Sequence, residues 1–146
     1  MAMSDEILKK DEEYGATLRA MVRHENEVTN HRTTWLMVMQ GILFTAASAL
    51  IKEYMVPTII VALVGILIAL SLGHAIQNSF HSRQYLKGLW RKRIEERGYK
   101  IEDVLPLDGG YPGNPAISWL LPNTFIPKVI IGAWILIIGY RLFLFV

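Results

Sequence analysis

His24, Glu27 and His31 stand three and then four residues apart. On a helix that spacing puts an imidazole, a carboxylate and a second imidazole on one face. A second stripe of the same kind runs through His74, Asn78, His81 and Tyr85. Imidazole and carboxylate suit zinc, copper, iron or nickel, and helix bundles assemble metal sites from side chains on facing helices. His24, Glu27, His31, His74 and His81 are therefore the candidate ligands for a transition metal or haem. Two arguments weigh against that chemistry. Histidines seven residues apart lie about 10 Å from each other along one helix, too far to share an ion unaided. The first stripe also flanks the apolar face of its helix instead of centring on it. The plainer expectation is no cofactor, with interfacial histidines and amides bonding headgroups, water or a partner helix; a pH-responsive histidine pair is the next alternative.

Other chemistry is thinner still. The chain has no cysteine, which removes thiolate metal sites, disulfides and cysteine nucleophiles together. It has no Gly-rich phosphate loop, zincin pattern or serine elbow, so a non-enzyme is expected. A net charge of +2 does not by itself imply nucleic acid. The basic residues cluster beside an apolar run, which makes lipid headgroups the expected partner and nucleic acid not one.

The elements that position these residues are helical and apolar. Only 19% of the 146 residues are charged, against roughly a quarter in soluble domains. The predicted fold is an all-α membrane protein in one domain with three transmembrane helices. Residues 4–32 read as a cytosolic amphipathic helix, with Ile7, Tyr14, Leu18, Met21 and Val22 on one face and Gly15 as a point of fraying or bending. Residues 33–53 form the first span and 57–77 the second, joined by a turn that puts Pro57 where its missing N–H is harmless. Residues 78–98 continue the second helix as a basic cytosolic extension, so the first two helices leave the membrane as an antiparallel amphipathic pair. Residues 99–124 form a Pro/Gly loop, with Ile117, Trp119, Leu120 and Leu121 dipped into the interface, and 125–146 form the third span. The N-terminal segment lacks the basic start and apolar core of a signal peptide, so the first span is expected to direct its own insertion. Lysine and arginine counts in the short loops place the N-terminus in the cytoplasm and the C-terminus outside, and a resemblance given below makes the expected membrane a bacterial inner membrane.

Folding the pair about a turn near Met55 brings acids level with bases. Glu25 and Glu27 then face Arg83 and Lys87 as stalk charge pairs that set register more than strength. Inside the spans the same fold puts Gln40 level with Ser71, a candidate hydrogen bond between neutral polar groups. Ala62, Gly65, Ala69 and Gly73 make a small-residue face on the second span. Such a face lets backbones approach closely in lipid, against a helix of the same chain or of another subunit.

The run His24-Glu-Asn-Glu, Asn30-His-Arg-Thr-Thr-Trp-Leu and then Gln40-Gly-Ile-Leu-Phe-Thr-Ala resembles the start of the first span in small, mostly uncharacterised bacterial integral membrane proteins. The resemblance covers residues 24–47 and implies no activity. The layout is also similar to the SLATT group of two-span proteins, proposed to be membrane-perturbing effectors in bacterial conflict systems. The third span and the Pro/Gly loop depart from that group. The small size, the weakly polar spans and the small-residue face lead to the expectation of a homo-oligomeric pore or membrane-perturbing effector in the lipid bilayer. The alternatives are the metal- or haem-binding protein above, and a scaffold whose stalk docks a cytosolic protein.

Overall fold

A computed structural model describes residues 2–99, 107 and 122–144. All the regular structure among them is helical: α1 spans Ala2–Leu50, α2 Met55–Arg97 and α3 Pro122–Phe143. Each of the three is long and apolar enough to cross a membrane. At 1.5 Å per residue α1 and α2 run to roughly 70 and 65 Å, about twice the 30 Å of hydrocarbon a span needs.

Residues 4–32 and 33–50 belong to one unbroken helix, with no break at Gly15. Gly15 is buried in that helix, and its bare Cα seats an indole: a Cβ there would come within 2.6 Å of the Trp90 ring. The glycine is selected by packing, which outweighs its cost of about 1 kcal/mol in helix propensity. The turn closes over residues 51–54, where Ile51 N–H donates to Ala47 O and Tyr54 N–H to Leu50 O. Pro57 falls in the first turn of α2.

α2 ends in a Schellman cap. Gly98 takes φ +70°, its N–H donates to Glu95 O, and Tyr99 N–H reaches back to Ile94 O. α3 starts at Pro122, earlier than residue 125, and carries Pro127 inside it. The expected interfacial residues Ile117, Trp119, Leu120 and Leu121 lie outside the described residues, as does the end of the third span beyond Leu144.

The chain divides into two compact units. One comprises 1–28 and 78–113, with a core of Leu18, Trp90, Ile94 and Leu107 backed by Leu86 and Tyr99. The other comprises 29–77 and 114–146, with a core of Leu36, Ala47, Ala62, Ala69, Ile76, Ile130 and Trp134.

Candidate functional site

In the second unit the polar chemistry converges on Gln40. This side chain is 2% exposed, on the same face of α1 as the buried Leu36 and Ala47. Its Nε2 donates to Gly65 O at 2.9 Å, and its Oε1 accepts from Trp134 Nε1 at 2.7 Å. One amide thus ties α1 to both α2 and α3. The Trp134 indole stacks on Phe44, with ring centroids 4.2 Å apart and planes 10° off parallel. It covers Gly65, where a Cβ would run into the ring. In hydrocarbon an unmet N–H or amide costs several kcal/mol, so this closed set of donors and acceptors is what lets a tryptophan and a glutamine share the core.

The expected Gln40–Ser71 bond is therefore replaced. Ser71 is exposed, and the Gly65 carbonyl lies nearer the turn than Ser71 does. The small-residue face has an owner within the chain. Ala62 and Ala69 are fully buried, Gly65 seats Trp134, and a Cβ on Gly73 would touch Pro127 at 3.0 Å.

A different small-residue face on α1 is open. Gly41, Thr45 and Ser48 follow one another at helical spacing with Thr34 one further step along beyond the exposed Val38; all are exposed, and nothing approaches within 4 Å of a Cβ built on Gly41. The three hydroxyls donate to the carbonyls four residues back, Asn30, Gly41 and Phe44.

In the first unit the organising group is a carboxylate that the apolar pattern conceals. Asp11 is 3% exposed. Arg93 approaches its Oδ1 through both Nε and Nη2, at 2.9 and 2.8 Å. Arg97 Nε lies 3.2 Å from Oδ2, and the Tyr99 hydroxyl donates to the same oxygen at 3.2 Å. The Arg93 guanidinium also sits 5.5 Å over the Tyr14 ring, and Tyr14 in turn faces Trp90 at 6.4 Å. The Schellman cap at Gly98 turns the chain so that Tyr99 comes back onto Asp11. Burial pushes the Tyr99 hydroxyl above its usual range. Its bond to Asp11 and the charge of that carboxylate push the same way, while Arg97 and Arg93 oppose them.

Arg83, expected to meet Glu27, turns to an amide instead. Arg83 donates to Asn26 Oδ1 and stacks over Phe80, whereas Glu27 is exposed. Asn26 lies nearer the direction of Val22 and Leu18 than Glu27 does, and one residue along a helix is a rotation of about 100°. Glu25 is partly buried and lines an open groove of about 500 Å³ with Met21, His24 and Tyr85. Lys87 is partly buried beside Arg83 in a small cleft.

His24, Glu27, His31, His74 and His81 are all exposed. Among the described residues no three histidine, cysteine, aspartate or glutamate side chains form a group that could hold a metal ion.

Asp11 and Trp134 carry the geometry without having stood out by residue type. Each had a positional signal. Asp11 precedes Tyr14 by three and Leu18 by seven, which puts an acid on an apolar stripe. Trp134 sits in mid-span, away from the interfacial belts where tryptophan is usual, and so requires an acceptor inside the bundle. No family model matches the chain, and no curated protein or solved structure matches it.

Proposed function

We propose that the protein is a small non-enzymatic integral membrane protein that works as a homo-oligomer, forming a pore or perturbing the bilayer as an effector. In this reading α1 and α2 pair antiparallel and continue out of the membrane as a cytosolic stalk. α3 is the third crossing, and the assembly sits in a bacterial inner membrane with its N-terminus cytoplasmic. The resemblance of residues 24–47 to small bacterial membrane proteins supports that location.

The observation that carries the reading is the open face Thr34–Gly41–Thr45–Ser48 of α1. Small residues let helices approach closely in lipid, and hydroxyls already bonded to their own helix enter an interface, or a wetted path, with no unmet donor. The Ala62–Gly73 face cannot serve in this way, because Trp134 and Pro127 occupy it.

In a mild detergent the full chain should run as a discrete oligomer, and reconstituted into liposomes it should dissipate an ion gradient. Gly41→Leu should abolish both while leaving helical content unchanged. A strictly monomeric sample with ion-tight liposomes would sink the reading. Elemental analysis bears on the metal alternative: a stoichiometric transition metal that is lost on replacing His31 and His81 would displace the proposal.

A second reading rests on the groove beside Met21, His24, Glu25 and Tyr85. There the stalk would dock a cytosolic protein and the chain would be a scaffold. Reversing Glu25, Glu27, Arg83 and Lys87 together should then abolish capture of that protein, and unchanged capture counts against it.

A further inference from the structure

Between α2 and α3 lies a cleft of about 300 Å³, within the unit that holds the membrane core. Its lining is ordered by polarity. Ala69, Leu70 and Ile131 form one part, and His74, Gln77 and Lys128 the other. No carboxylate lines it among the described residues. Pro127 and Gly73, which approach each other closely, also line it.

The cleft sits at the edge of the apolar run of both helices. The run from Thr58 to Ile76 carries no ionisable group but His74, and Asn78, His81 and Arg83 follow. On α3, Lys128 is the last cation before Arg141. A further cation is fixed at this height, because Arg32 Nη1 donates to Ala75 O at 2.9 Å. A site with cationic and amide donors at the edge of the hydrocarbon, and an apolar wall leading inward, repeats the polarity of a phospholipid along its own length. Positive charge without a nearby acid selects for negative charge in the ligand.

We propose that this cleft binds an anionic phospholipid. Lys128, Gln77 and His74 hold the headgroup phosphate, and an acyl chain lies along Leu70 and Ile131. This assignment is independent of the oligomer reading, since every lining residue belongs to one chain.

The test uses the full chain in an uncharged detergent, titrated separately with dioleoyl phosphatidylglycerol, dioleoyl phosphatidylcholine and inorganic phosphate, with binding read by native mass spectrometry. One phosphatidylglycerol should bind in preference to phosphatidylcholine. Lys128→Gln should weaken it about fivefold, the contribution of one basic side chain near an anionic surface. Leu70→Trp fills the apolar part and keeps every charge, and it should weaken binding at least as much. Lys92→Gln alters an exposed stalk lysine and should change nothing. Equal affinity for phosphatidylcholine, or full affinity in both cleft variants, overturns the proposal. So does a loss in Lys92→Gln equal to that in Lys128→Gln, which would mean a diffuse charge effect. Displacement of the lipid by millimolar inorganic phosphate would assign the cleft to a free anion and equally overturn it.

Discussion

Replacing Asp11 with alanine should loosen the first unit and leave the second intact. The carboxylate accepts from Arg93, Arg97 and Tyr99 while being almost wholly buried. Hydrogen bonds to charged groups contribute about 1.5–3 kcal/mol each. Arg93 and Arg97 have side chains about 36% and 37% exposed, so they rehydrate when the acid is removed. Solvent screening reduces their share to about 1 kcal/mol each. Together the two arginines contribute about 2 kcal/mol, and the better helix propensity of alanine returns about 0.5. A net loss near 1.5 kcal/mol is a factor of roughly 13 in a local opening equilibrium. Amide hydrogen exchange of the full chain in detergent reads this directly. Protection over residues 12–28 and 84–97 should fall by about that factor, while protection over 36–47 should hold. Asp11→Asn keeps one acceptor and should lose about half as much free energy. Unchanged protection in the first unit would refute the idea that the carboxylate organises it. An equal loss over 36–47 would refute the independence of the two units.

Three further outcomes follow from the packing. Gly65→Ala drives a methyl into an indole that Phe44 and Gln40 hold in place, and should cost about 1–3 kcal/mol of unfolding free energy in detergent; Gly41→Ala meets nothing within its own chain and should be neutral or stabilising in a detergent harsh enough to hold the chain monomeric. A double-mutant cycle of Gln40→Leu with Trp134→Phe should give a coupling of about 0.6–1.7 kcal/mol, the range for hydrogen bonds between helices in lipid, and zero coupling would remove the bond from the account. Tyr99 is raised in the fold above its ordinary 10.0, so its protonated form contributes stability that is present below pH 10 and lost as pH rises through the raised value. Subtracting the Tyr99→Phe melting profile from that of the parent chain isolates this loss from lysine titration, and a difference that stays flat above pH 10 would contradict the Asp11–Tyr99 bond.

The three helices were legible because length and apolarity are properties of a run of residues, and no single contact has to be known to see them. The end of the second helix near residue 98 was legible for a local reason, since the left-handed φ of a Schellman cap favours glycine and Gly98 stands there. Register was not. A turn assumed at Met55, when the chain turns over 51–54, is enough to move the partner of Gln40 from Gly65 to Ser71. One residue of rotation separates Asn26, which meets Arg83, from Glu27, which faces out. Charge counting favoured the glutamate, but the direction in which a side chain leaves the helix decides the contact. The ambiguity of the Ala62–Gly73 face had the same root. Small residues announce a close neighbour, and only the placement of Trp134 and Pro127 says whose side chains those are.

The two polar centres that sequence reading underweighted differ in a way that bears on where the membrane lies. Asp11 is charged and is met by two guanidinium groups whose outer parts reach water. Gln40 is neutral, is met by a carbonyl and an indole, and has no ionisable group bonded to it. A carboxylate at position 40 would carry about 2.5–3.5 kcal/mol of insertion cost at mid-span before any partner is found, whereas an amide satisfies both helices without charge. An amide at position 11 would give up the ion pairs that two half-exposed arginines can make. In the proposed topology each centre has the polarity its solvent allows, and the change from one kind to the other along α1 falls between Asp11 and Gln40. Arg32 lies inside that interval with its guanidinium on the Ala75 carbonyl. A cation bonded to a helix backbone there is consistent with the headgroup region, because it is wet enough to keep the charge and dry enough to make the carbonyl worth reaching.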